Sequence, residues 1–156
     1  MNGNMHKEIE NLKKNETFSI PNEKGLTITL SNAGVVKIKN GDTFNFGEEK
    51  ISSISVPGHT KGSNCFLINK SLFTGDVIFP GRAGRTDSEE QFDLSVNSLK
   101  NTLYLLDEDI EFFPGHGKGG ETLKDFQNQF KYFLSNSYKK GMHGVVWWVA
   151  GYKEEW

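Results

Sequence analysis

Three glycine-bounded turns constrain this chain more than any other feature. They are Pro57-Gly58-His59-Thr60-Lys61-Gly62, Gly75-Asp76, and Pro114-Gly115-His116-Gly117. Each places a histidine or an aspartate directly after a glycine, at the end of an apolar run that reads as a strand. Ile51, Ile54 and Val56 lead into the first turn, Leu72 and Phe73 into the second, and residues 110–113 into the third. A histidine that serves only packing usually sits on an apolar element, whereas a glycine beside it lets the backbone approach a ligand closely. One such histidine alone reads as a packing or surface residue. Two histidines and a carboxylate in one local setting read as candidate metal ligands, because zinc-like ions take imidazole nitrogen and carboxylate oxygen at about 2.0–2.2 Å.

The rest of the chain supplies elements to carry these turns. Leu26, Ile28 and Leu30 alternate with threonines, the period of a half-buried strand. Val36 and Ile38 alternate with lysines, and Asn40-Gly41-Asp42 then predicts a hairpin whose far arm carries Phe44 and Phe46. Residues 65–68 and 72–73 predict a further strand pair, joined at Asn69-Lys70. From Ser88 the period changes. Phe92, Val96, Leu99, Leu103 and Leu106 form one helical stripe, started by a hydroxyl cap with Glu89 and Glu90 at the positive end of the dipole. Residues 122–138 predict a second amphipathic helix, with Leu123, Phe126, Phe130, Phe133 and Leu134 inward. The chain closes on a β-prone run, GVVWWVAGY. The expected class is α+β, a mainly antiparallel sheet with two helices on one face.

At 156 residues the chain has room for one domain and little more. The expected division is a polar tail or short helix over residues 1–16 and a single domain over 17–156. Apolar content of 35% and a mean hydropathy of -0.54 are low, and twelve phenylalanines offset this because aromatics bury a large area each. A formal charge of -2 gives no electrostatic footing for nucleic acid or an anionic membrane. No apolar run approaches the roughly 18 residues of a membrane span, and residues 1–16 lack the apolar centre of a secretory signal. The single Cys65 suits a reducing compartment, so a cytoplasmic location is expected.

Four motifs in order, Pro-Gly-His-Thr-x-Gly-Ser at His59, Leu-Phe-Thr-Gly-Asp at Asp76, Gly-Arg-Thr-Asp at Arg85 and Phe-Pro-Gly-His-Gly at His116, resemble the second half of the metallo-β-lactamase fold superfamily. Within it they are most similar to the glyoxalase II-like hydrolases. The segment Asn-Gly-Asp-Thr-Phe-Asn-Phe-Gly ahead of the first motif resembles that group as well, so the likeness runs over roughly residues 35–134. The resemblance implies that His59 is a ligand of a first metal, Asp76 the bridging carboxylate and catalytic residue, and His116 a ligand of a second. It implies zinc, with iron or manganese as alternatives, as one or two ions or none in the isolated chain. The implied reaction is ester or thioester hydrolysis by a metal-bound hydroxide, the cation lowering the pKa of water towards about 7. Thr60 is expected to hold its loop. Arg85 and Asp87 are expected to brace the loop after Asp76, with substrate contact by Arg85 as the alternative. The glycines around Arg82 are expected to serve loop geometry and not phosphate binding.

The group's His-x-His-x-Asp-His motif is absent. The chain's four histidines are His6, His59, His116 and His143, and no two lie close enough to form it. The resemblance therefore implies a truncated or split domain, half of an αββα sandwich, with two protein ligands per ion where a catalytic zinc site has three. Half a sandwich leaves an apolar sheet face in need of cover. A second copy in a homodimer, a partner chain supplying the missing half, or the terminal segments with GVVWWVAGY first among them would provide it. His143, in Gly141-Met142-His143-Gly144, is a further candidate metal ligand, set against its reading as a surface turn residue. His6 reads as exposed tail and Cys65 as a packed thiol. The alternative function is a non-catalytic metal-binding or protein-interaction module derived from the fold, with an incomplete gene product as a third case.

Overall fold

The computed structural model describes residues 17–21, 27–31 and 38–149. The chain divides between Ile38 and Lys39 into two units. In the first, β1 (Thr17–Pro21) pairs antiparallel with β2 (Thr27–Ser31), Thr17 opposite Ser31. The threonine alternation predicts β2. Its partner β1 carries only two apolar residues at that spacing, Phe18 and Ile20, and stops at a proline, so its pattern is weak. The tail or helix expected over residues 1–16 lies outside the described residues.

The second unit is built on a six-stranded sheet. Its strands are β3 (Thr43–Phe46), β4 (Glu49–Ser55), β5 (Asn64–Ile68), β6 (Ser71–Gly75), β9 (Glu111–Pro114) and β10 (Glu121–Thr122), in the order β10-β9-β6-β5-β4-β3. All neighbours are antiparallel except β6 and β9. A parallel pair needs a crossover, and this one carries a small hairpin, β7 (Ile78–Phe79) with β8 (Arg82–Ala83), and the helix α1 (Glu89–Asn101). A 3₁₀ turn (Leu103–Leu105) follows α1, and α2 (Leu123–Asn136) follows β10.

The turn at Asn40-Gly41 forms, with Gly41 at φ 83° and the Asp42 N–H donating to the Lys39 carbonyl at 3.1 Å. The hairpin that Phe44 and Phe46 build closes elsewhere, however. β3 pairs with β4 through Gly47-Glu48, where Gly47 takes φ 62° as the first central residue of a two-residue hairpin loop requires. Ile38 lies in no strand, and residues 36 and 37 lie outside the described residues.

Both helices start as their sequences predict. The Ser88 hydroxyl accepts from the Gln91 N–H, and Thr122 and Asp125 satisfy each other's backbone in a capping box. Their apolar stripes, Phe92, Val96 and Leu99 from α1 and Leu123, Phe126, Phe130 and Phe133 from α2, are buried with Cys65, Leu72 and Phe112 of the sheet. That is one sheet face. Register puts Ser53, Phe66, Phe73 and Phe113 in a row on the other, with Phe44, Ile51 and Ile68 in the next row. Phe73 is 45% exposed and stacks on Phe113 with ring centroids 5.7 Å apart, so this second face is apolar and takes neither helix.

The closing run makes no strand among the described residues. Thr86↔Gly144 and Arg82↔Trp147 are isolated bridges. Trp148 is buried on the helical side, its ring 5.2–6.4 Å from Phe126, Phe130 and Phe133. Burying a large aromatic outweighs the β-propensity of the run. Of residues 144–149, Val146 and Trp148 are thus spent on the core. Among the described residues no helix is long and apolar enough to cross a membrane.

Candidate metal centre

The turn after β4 is tied to itself and to α1. Val56 donates to the Ser63 carbonyl at 2.9 Å, and Thr60 meets the Ser63 hydroxyl through both its N–H (3.1 Å) and its own hydroxyl (2.9 Å). Ser98 of α1 donates to the Pro57 carbonyl at 2.7 Å. A β-carbon at Gly58 would lie 2.4 Å from that of Ser95, so glycine is what lets the helix reach this turn. Thr60 holds the loop by these contacts.

This framework presents His59 in one orientation. Its Nδ1 lies 2.7 Å from the Arg85 carbonyl oxygen. A carbonyl only accepts, so Nδ1 carries the proton and Nε2 keeps its lone pair, the state a metal ligand needs. Nε2 faces Asp76 Oδ2 at 3.7 Å.

Asp76 is held from three sides. Gly75 takes φ 51°, Val77 donates back to the Thr74 carbonyl at 3.1 Å, and Gly84 donates to the Val77 carbonyl at 2.9 Å. On the β9 side Gly115 donates to the Gly75 carbonyl at 2.8 Å. A β-carbon at Gly84 would lie 1.8 Å from the Asp76 carbonyl oxygen, and one at Gly115 would lie 2.7 Å from Oδ1. His116, one residue on, places Nε2 at 3.5 Å from that same Oδ1. Its ring lies 4.6 Å from that of Phe79.

Phe79 and Arg82 face each other across the β7–β8 hairpin, whose Pro80-Gly81 turn has Gly81 at φ 77°. Proline followed by a positive-φ glycine is the type II arrangement, so Gly81 serves loop geometry. Arg82 is 5% exposed, its guanidinium 4.0 Å over the Phe79 ring and 5.5 Å from that of Trp147. Such contacts are worth about 0.5–1 kcal/mol in water and more when dry. Arg85 and Asp87 lie 3.4 Å apart on the surface. What Arg85 gives His59 is its main-chain carbonyl.

The structure therefore brings His59, Asp76 and His116 into one chain of contacts, with Asp76 in the middle. Two donors at about 2.1 Å from one tetrahedral ion stand roughly 3.4 Å apart. The observed 3.7 and 3.5 Å fit that spacing, one carboxylate oxygen to each histidine. Among the described residues no three ligating side chains converge on one point, and the exposed His143 joins no such group. His6 lies outside the described residues. Cys65 is buried in the core, and burial pushes its thiol up to about 12. The residues fit a metal as two ligand pairs sharing Asp76, each short of a full set. Gly84 packs against Asp76 and Phe79 against His116, and nothing in the sequence marks Phe79 for that place.

No family model matches the chain. Among curated proteins it is 29% identical over 107 residues to the probable polyketide biosynthesis zinc-dependent hydrolase PksB of Bacillus subtilis, covering 64% of this chain and 46% of that protein. It is 38% identical over 79 residues to the hydroxyacylglutathione hydrolase GloC of Haemophilus influenzae, covering 49% of this chain and 35% of that one. Among solved structures, the BLEG-1 B3 metallo-β-lactamase matches with a TM-score of 0.53 and 30% identity over 58% of this chain and 44% of its own. The chain thus spans a third to a half of the length of these relatives.

Proposed function

We propose that this chain, whose relatives and structural neighbours include members of the metallo-β-lactamase fold superfamily, contributes His59, Asp76 and His116 as one share of the ligand set of a metal-dependent hydrolase. The observation that carries this reading is Asp76 between two imidazoles, with a separate oxygen facing each at 3.7 and 3.5 Å. Zinc is the first choice of ion, since PksB is named a zinc-dependent hydrolase and the donors are imidazole and carboxylate. Iron and manganese are the alternatives. An ester or thioester is the proposed substrate class, the latter in keeping with the name of GloC.

A bound cation supplies a Lewis acid that polarises a carbonyl oxygen and acidifies water. The chain's own residues do the rest. The Arg85 carbonyl keeps the proton of His59 on Nδ1, and a β-carbon at Gly84 or Gly115 would collide with Asp76. Each histidine–aspartate pair lacks at least one further ligand, so completion from outside the described residues is part of the proposal. A second copy, or a chain carrying the other half, would supply those ligands and cover the face of Phe66, Phe73 and Phe113.

The second reading, a non-catalytic binding module, is favoured by the lack of a third convergent ligand among the described residues. Metal content and oligomeric mass measured on one sample, with His59→Ala as control, decide between them. A metal-bearing assembly that loses its metal in the variant supports the hydrolase. A metal-free assembly supports the module, and a metal-free monomer overturns the ligand assignment.

A further inference from the structure

We infer that Phe79, held by Arg82 and through it by Trp147, is a positioning residue for the His116 imidazole, so that residues 144–148 are a working part of the candidate centre. His59 has a main-chain carbonyl to orient its ring. His116 sits between Gly115 and Gly117, the latter at φ 75°, with its side chain 46% exposed. A glycine on either side leaves the local backbone a weak restraint on that ring. Phe79, 5% exposed, lies 4.6 Å from it with its ring tilted 44° to the imidazole.

Phe79 is fixed in turn by Arg82, its partner across the hairpin, and through it by Trp147, far along the chain. Facing residues of an antiparallel pair share a side, which puts the Arg82 guanidinium 4.0 Å over the Phe79 ring. Trp147 pairs with Arg82 and brings its indole 5.5 Å from the same guanidinium. The segment that carries Trp147 is anchored on both sides. Thr86 and Gly144 exchange two backbone hydrogen bonds at 3.1 and 2.8 Å, and Trp148 donates to the Gly81 carbonyl at 2.8 Å while its indole fills the core. The result is a column running from Trp147 through Arg82 and Phe79 to His116. A neighbour that orients a ligand typically changes metal affinity about 10–100-fold when removed.

The inference rests on the proposed function for the role of His116 as a ligand, but the placement of its ring is measurable without metal. In the metal-free protein the side-chain NMR signals of His116 carry a ring-current displacement from Phe79. Phe79→Leu removes that displacement and leaves the signals of His59 and His143 in place, whereas Phe79→Tyr, which keeps the ring, retains it. Arg82→Met and Trp147→Leu, with native circular dichroism, each reduce it. In zinc titrations Phe79→Leu lowers affinity about 10-fold and Phe79→Tyr does not. His116 signals unmoved by Phe79→Leu overturn the inference, and signals unmoved by both Arg82→Met and Trp147→Leu overturn the part given to residues 144–148. If the unmodified protein takes no zinc, the proposed function fails, and the NMR comparison still decides the positioning of His116.

Discussion

Gly115→Ala should weaken metal binding while leaving the fold as stable as before. Gly115 is solvent-exposed and is not among the glycines with positive φ, so alanine fits its backbone conformation. An added β-carbon would meet Gly75 Cα and carbonyl carbon at 3.3 Å, which is tight but tolerable, and Asp76 Oδ1 at 2.7 Å, which is not. Since real contacts of this kind stay above 3.0 Å, the carboxylate has to move by a few tenths of an ångström. Metal–ligand distances hold to about 0.2 Å, so that displacement would take Oδ1 out of range of the ion it is proposed to share with His116. Loss of about tenfold in zinc affinity, or about 1.4 kcal/mol, is expected. Stability should change little, because only the end of one surface side chain moves and the reduced freedom of the unfolded chain contributes about 0.4–1 kcal/mol in its favour. Competition against a chromophoric chelator gives the first quantity and a thermal melt in EDTA the second. Unchanged zinc affinity would falsify the role of Oδ1, and a melt lowered by many degrees would show Gly115 to be structural.

Gly84→Ala should differ, because its β-carbon would lie 1.8 Å from a main-chain oxygen and the loop itself has to shift; about 1–3 kcal/mol of stability and the metal affinity should fall together in paired melts and titrations. Trp148→Ala empties a site among three phenylalanines and should cost about 3–5 kcal/mol by urea denaturation. Cys65, with its thiol pushed up to about 12, should resist a disulfide reagent at neutral pH in the native state and react readily in denaturant. The ion pair of Lys70 with Asp109 ties the start of β6 to the loop before β9, raising the lysine and lowering the aspartate through their mutual hydrogen bond. The aspartate's contribution is complete above its unfolded value of 3.8 and is lost as pH falls through the lowered folded one. The lysine's is complete below 10.5 and is lost as pH rises through the raised one. Stability curves of the native chain and Lys70→Met should therefore run apart near neutrality and converge at both extremes; a constant gap down to strong acid would refute the pairing.

Much of this was legible because its signals are local. Ser88 and Thr122 cap helices one residue later, and the strand pair joined at Asn69-Lys70 forms where its alternation ends, with Asn69 at φ 54°. His59, Asp76 and His116 stand out because close approach demands glycine beside them, and the structure brings the three together. What sequence hid is the outcome of competition at a distance. Phe44 and Phe46 had a strong turn signal on one side, yet the register closed at Gly47 on the other. Trp147 and Trp148 carry β-propensity, but an aromatic cluster built from α2 claims one and a buried guanidinium the other. The glycines around Arg82 pointed to loop geometry, but nothing in Gly-Arg-Ala-Gly-Arg records that Phe79 lies opposite the arginine.

The bond from His59 to Arg85 is made to a peptide oxygen, and that has a consequence for how this centre can drift. Every amino acid carries that oxygen, so substitution at position 85 leaves the imidazole's proton where it is. The residue before it has no such latitude, since only glycine fits against Asp76. In a saturation library scored for zinc retention, position 85 should accept most side chains and position 84 almost none. The proton on His59 is thus kept by a part of the chain on which point mutation has no purchase.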